Sequence, residues 1–156
     1  MKILVAIEGS MFSQLAVRAV AQRIRPEGAK VLLVHAIEPA AFFEQDASVQ
    51  ERLRRPQELL DAAARELEDS GFRHVEMRVI DAETRTGILE LAAKWQPDLI
   101  VLGSHGRKGL EKLMLGSVAE SVARHSSCSV LIVRIAPSPA EELQNVPIVE
   151  SSTAVG

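Results

Sequence analysis

The sequence predicts an α/β domain, a doubly wound, five-stranded parallel sheet with helices on both faces. Three observations carry this expectation. Short apolar runs alternate with amphipathic stretches in the order β-α-β-α-β-α-β-α-β. Most of the runs are continuous rather than alternating, as in strands covered on both faces. Gly, Pro and Ser stand at the junctions. At 156 residues the chain suits one domain, over residues 1–136, with an irregular or partly disordered extension over 137–156.

The first strand is expected over residues 2–7, apolar without a break after Lys2, followed by the turn EGSMFS. Phe12, Leu15, Ala16, Ala19, Val20 and Ile24 then recur at helical spacing until Pro26-Glu27-Gly28 stops them. Ser10 and Ser13 are placed to cap this helix. VLLVHAI, residues 31–37, is a second buried strand, in which His35 is a strand residue and not a catalyst.

Residues 38–55 are mixed and read as a loop or the irregular lead-in to a helix. Pro56 suits that helix's N-terminus, where its missing N–H costs nothing. Leu59, Leu60, Ala63, Ala64 and Leu67 form one stripe that ends at Gly71. RHVEMRVI alternates, with Val75, Met77 and Val79 facing one way, which suits a strand near a sheet edge. A third helix is expected over residues 86–96, with Thr86 as N-cap and Pro97 as the stop. DLIVLG is the fourth strand, residues 117–125 the fourth helix and CSVLIVRI the last strand. Cys128 reads as a small, partly buried residue. VPIVE in the tail is a weak candidate for pairing with a sheet edge.

The totals exclude several functions. A net charge of −3 gives a nucleic-acid partner no electrostatic support, and four Phe, one Trp and no Tyr leave no base-stacking surface. The apolar run at the start is too short for a signal peptide or a membrane span. One cysteine excludes an internal disulfide framework and fits a cytoplasmic setting.

Ligands of doubly wound sheets bind beyond the C-terminal strand ends, where the strand order reverses. With order 3-2-1-4-5, strands one and four flank that reversal. The loops there are EGSMFS and GSHGRKGLEKLMLGS, and the second holds four of the nine glycines. Glycines let backbone amides approach a phosphate, and the helix opening at Gly116-Ser117 offers N-terminal amides to an anion. Arg107 and Lys108 add positive charge. A plain alternative has Ser117 capping its own helix with Glu120, and the other glycines merely making turns. The loop is neither a Walker A motif nor G-x-G-x-x-G. His105 has no partner that the sequence places beside it, so it reads as a turn residue near phosphate. Leu113, Met114 and Leu115 read as packing residues.

Gly103-x2-Gly106-x9-Gly116-Ser117, with KILVAIEGS, VLLVHAIEP, PDLIVLGSHG and SVLIVR around it, resembles the universal stress proteins over residues 2–135. The resemblance implies an adenine-nucleotide α-hydrolase-like (Rossmann-like) fold with strand order 3-2-1-4-5, and an ATP-binding member of the family. It implies that Glu8 lies near the base and ribose, that Ala36 lines the base pocket and that Ala6 and Ile7 border it. Gly103, Ser104, His105, Gly106 and Arg107 would follow ribose and phosphates. Gly116, Ser117 and Val118 would hold the outer phosphates, with Mg²⁺ accompanying them through phosphate and water oxygens.

It further implies a cytoplasmic homodimer formed through the last strand, residues 130–135. Two departures stand out: Glu8 replaces the usual Asp, and DAETRTG replaces a Gly-x-Pro turn. The resulting reading is a nucleotide-dependent regulatory protein of the stress response. A slow ATPase or phosphotransferase, and a dimeric interaction protein with weak or no nucleotide binding, are the alternatives. SGG-x-D-S, the loop of ATP pyrophosphatases, is missing after strand one.

Overall fold

Ile3, Leu4 and Val5 have no polar side chain among them, and all three are fully buried. Such a strand needs cover on both faces, which a parallel sheet between helix layers supplies. The computed structural model describes residues 1–38, 49–106 and 115–135. Along these the order is β1 (Lys2–Ala6), α1 (Met11–Arg23), β2 (Lys30–Ile37), α2 (Val49–Asp69), β3 (Val75–Asp81), α3 (Thr84–Trp95), β4 (Leu99–Gly103), α4 (Ser117–His125) and β5 (Ser129–Val133). The five strands form one sheet in the order β3-β2-β1-β4-β5. Every pairing is parallel, with Ile3 opposite both Val31 and Leu99. The expected fold class and strand order are therefore observed.

Alternate residues feed two cores. Ile3, Val5, Val31, Leu33 and Val101 meet Ala16, Val17 and Val20 of α1, and Leu60, Ala64 and Leu67 of α2, with Phe72 after it. Leu4, Leu32, Val34, Ile100 and Leu102 meet Ile88, Leu91 and Ala92 of α3 and Ala119 and Val122 of α4. Each fully buried Leu or Ile stabilises the fold by about 1.5–3 kcal/mol. Both layers leave their helix N-termini at the C-terminal edge of the sheet, where β1 and β4 diverge.

Two expectations need correction. Pro56 lies inside α2, which starts at Val49. The residues before it, QERLRR, are strong helix formers, and the Arg54–Glu58 ion pair spans the proline at 3.2 Å. Helix α3 starts at Thr84 with Glu83, not Thr86, as its cap. Thr86 instead supplies the donors, its N–H at 3.0 Å and its hydroxyl at 2.9 Å from Glu83 Oε2. As expected, β3 is an edge strand, and Met77, on the face of Val75 and Val79, is 41% exposed there. The extension, with VPIVE, lies outside the described residues, as do residues 39–48 of the lead-in to α2.

The cap at Glu83 makes stability depend on pH. The Arg85 guanidinium at 2.7 Å, then the Thr86 N–H, hold its carboxyl at about 2, below the ordinary 4.5. A folded-state value below the unfolded one gives stability that is complete above 4.5 and fades as pH falls towards 2. Glu83→Gln is expected to lower the thermal midpoint at neutral pH. Its curve should meet the wild-type curve near the acid end of that window. Parallel curves in a pH series of thermal melts would remove the cap from the account.

Candidate functional site

The turn after β1 is built tightly. Gly9 has φ +85°, and a Cβ there would lie 2.9 Å from Leu59 Cδ1 of α2, so only glycine fits. Ser10 is the N-cap of α1, as expected, and accepts from the Ser13 N–H at 3.3 Å. The Ser13 hydroxyl donates to Ser10 O at 3.0 Å and accepts from the Gly9 N–H at 3.2 Å. Glu8 bends back onto this cap. Its Oε1 accepts from the Ser10 N–H at 3.2 Å and from the Ser10 hydroxyl.

Across the crevice, β4 ends at Gly103. A Cβ on Gly103 would lie 2.5 Å from Phe12 Cβ and 2.7 Å from the Phe12 carbonyl carbon, so the bare Cα admits the backbone of α1. Ser104 is buried. Its N–H donates to Val133 O and its carbonyl accepts from the Gly116 N–H, both at 2.8 Å. Its hydroxyl is 3.0 Å from His105 Nδ1. The His105 ring tilts against Phe12 at 5.2 Å. His105 Nε2 is buried with no hydrogen-bond partner among the described residues.

Gly106 differs from its neighbours. Among the described residues a Cβ there would meet only the Glu8 carboxylate, at 3.8 Å. The packing of the described residues therefore does not require a glycine at this position.

Helix α4 enters from the same side. Gly116, in extended conformation, is its N-cap, and no side chain caps it. Ser117 is the first helical residue, so it does not cap its own helix. The amides of the first turn thus lack intrahelical partners and carry partial positive charge. Gly116 packs closely, since a Cβ would lie 3.0 Å from Ser104 O and 3.2 Å from His105 Cα.

These pieces line one cavity of about 690 Å³, a volume in the range of small-molecule sites. Ala6, Ile7, Glu8, Ala36, Gly103, Ser104, His105, Gly106, Gly116, Ser117 and Val118 all border it. Arg107, Lys108, Leu113 and Met114 lie outside the described residues, and Leu115 is exposed. The sequence reading missed the far end, where Glu38 just after β2, Arg55, Pro56 and Leu59 of α2 and Thr84 and Ile88 of α3 close the cavity. One signal was available. In a parallel sheet every helix starts on the side where the strands end, so residues early in α2 and α3 belong near the site.

Among the described residues no group of three or more His, Cys, Asp or Glu could hold a metal ion. No helix among them is long and apolar enough to cross a membrane. Burial pushes the Cys128 thiol up, which disfavours its thiolate.

Known proteins resemble the chain over most of its length. The model of the universal stress protein family matches residues 1–134. A Staphylococcus aureus (strain USA300) protein named as a universal stress protein is 30% identical over 144 residues, covering 89% of this chain and 87% of the relative. The solved structure of the hypothetical protein MJ0577 is 28% identical with a TM-score of 0.76, covering 88% of this chain and 97% of that one. A universal stress protein solved in complex with cAMP is 26% identical with a TM-score of 0.68, covering 85% and 96%.

Proposed function

The chain belongs to the universal stress protein family, and on that premise we propose that it is a cytoplasmic, nucleotide-dependent regulatory protein of the stress response that binds ATP in this cavity. The observation that carries the reading is the uncapped N-terminus of α4, directed into a cavity that also holds Gly106. Free first-turn amides favour a phosphate. Gly106, with room among the described residues for a side chain that it lacks, leaves space for a ligand's close approach. The buried, unpartnered Nε2 of His105 offers one more polar contact. The cAMP complex of a 26% identical neighbour supports an adenine nucleotide as the class of ligand.

The base would lie at Ala36, Ala6 and Ile7, with ribose towards Glu8. The phosphates would run past Gly106 to the amides of Ser117 and Val118. Mg²⁺ would be held through phosphate and water oxygens. Glu8 serves here in place of aspartate. Its Oε1 is engaged by Ser10, while Oε2 stands 3.8 Å from the position of a Gly106 Cβ, facing the crevice. The half-buried edge strand β5 supports a homodimer, which gel filtration at micromolar concentration tests. A monomer there would end that part of the reading.

Two measurements test the ligand. Denaturing the purified protein and separating the released small molecules should yield ATP. Steady ADP production from added ATP would favour the slow ATPase, and no bound or binding nucleotide the interaction protein. Gly106→Ala is expected to leave stability within about 0.5 kcal/mol of wild type. It should weaken ATP binding about tenfold by pressing on the phosphates. Unchanged calorimetric affinity would take Gly106 out of the site.

A further inference from the structure

The cavity has a second polar end, and its chemistry is unlike the first. Opposite Gly106 and Gly116 it is closed by the end of β2 and by walls from α2 and α3. These helices pack on opposite faces of the sheet. A flat ring lying above the end of β2 therefore has Pro56 and Leu59 on one side and Ile88 on the other.

Two charged side chains complete this end. Arg54 and Arg55 are consecutive on α2, yet they differ. Arg54 is paired with Glu58 at 3.2 Å. Arg55 lines the cavity and makes no ion pair or hydrogen bond with the described residues. A guanidinium is planar and stacks on ring faces. Glu38 stands at the rim, where its Oε1 accepts from the Thr84 hydroxyl at 3.5 Å. An ionised carboxylate only accepts hydrogen bonds, so the ligand group that it meets must be a donor.

We propose that Glu38 and Arg55 set base specificity: Glu38 accepts a hydrogen bond from the exocyclic 6-amino group of the purine, and Arg55 covers the ring. The inference rests on the nucleotide reading above and assigns side chains that the family signature does not include. Glu38 selects for the amino group, whereas Arg55 adds affinity for any purine.

A binding cycle on the full chain tests this, with ATP and purine riboside triphosphate, which differs only by lacking the 6-amino group. Wild type is expected to bind ATP about tenfold more tightly, the worth of one hydrogen bond to a charged group. Glu38→Ala should lower ATP affinity to that of the analogue and leave the analogue's affinity unchanged. Arg55→Ala should weaken both ligands alike. Glu38 and Arg55 are exposed, and thermal melts will confirm that both variants fold.

Equal binding of the two ligands by wild type, or equal weakening of both by Glu38→Ala, overturns the Glu38 assignment and leaves the nucleotide site standing. Unchanged affinities in Arg55→Ala overturn the Arg55 assignment. Binding of neither ligand by wild type overturns this inference and the nucleotide reading together.

Discussion

Gly103→Ala is expected to destabilise the protein by about 3 kcal/mol, the upper part of the range for overpacking. The new methyl group would lie 2.5 Å from Phe12 Cβ, 2.7 Å from the Phe12 carbonyl carbon and 2.9 Å from its oxygen. Two of these atoms are backbone, so no side-chain rotation relieves the clash. Helix α1 cannot easily retreat. Its first turn is tied by the Ser10 cap and the Ser13 bridge to Gly9, and it buries Ala16, Val17 and Val20 against the sheet. Strand β4 is held too, since Gly103 pairs with Val133 and the Ser104 N–H bonds Val133 O at 2.8 Å. Phe12→Ala should not rescue the variant, because all three contacted atoms remain in alanine. Chemical denaturation of both variants checks this. A loss under about 1 kcal/mol, outside the usual cost of overpacking, would show that α1 and β4 have slack that these contacts do not suggest.

Gly103 also shows what the sequence could reveal. Its membership of a spaced glycine set was legible, but its task was not. The atoms that forbid a Cβ belong to a helix at the other end of the chain. The sheet was legible for a local reason. Ile3, Leu4 and Val5, like Val31 to Val34, are apolar at every position, and only two-sided burial explains that. The strand order rested on the family resemblance, because no local pattern distinguishes β3 beside β2 from β3 beside β4.

The start of α2 was hidden by Pro56. A proline marks a boundary in most sequences, yet here an ion pair crosses it. The cap of α3 was displaced by a carboxylate that reaches three residues forward. The two loops of the crevice were legible through Gly and Ser content. The far end of the cavity was not, since Glu38, Arg55 and Thr84 come together only when α2 and α3 pack on opposite faces.

Gly116→Val is expected to lower ATP affinity about a hundredfold, the loss of two charge-assisted hydrogen bonds at the weaker end of their range. Gly116 joins the two walls of the anion end. Its N–H donates to Ser104 O at 2.8 Å, and its carbonyl accepts the Glu120 N–H at 2.9 Å, starting α4. A Cβ would lie 3.0 Å from Ser104 O and 3.2 Å from His105 Cα, and valine adds two methyl groups beyond it. The φ of Gly116 is −62°, so the backbone itself accepts valine. The strain falls on the contact instead and parts the α4 N-terminus from the 104–106 backbone. In the proposed complex the amides of Ser117 and Val118 would then no longer converge with Gly106 on one phosphate. Stability should fall by about 1 kcal/mol, the low end for overpacking, because Ala119 and Val122 still anchor α4 in the core. The ratio of the two effects is the test. Gly103→Ala should cost stability first, and Gly116→Val affinity first. An unchanged ATP dissociation constant in a folded Gly116→Val protein would mean that the uncapped helix end holds no phosphate.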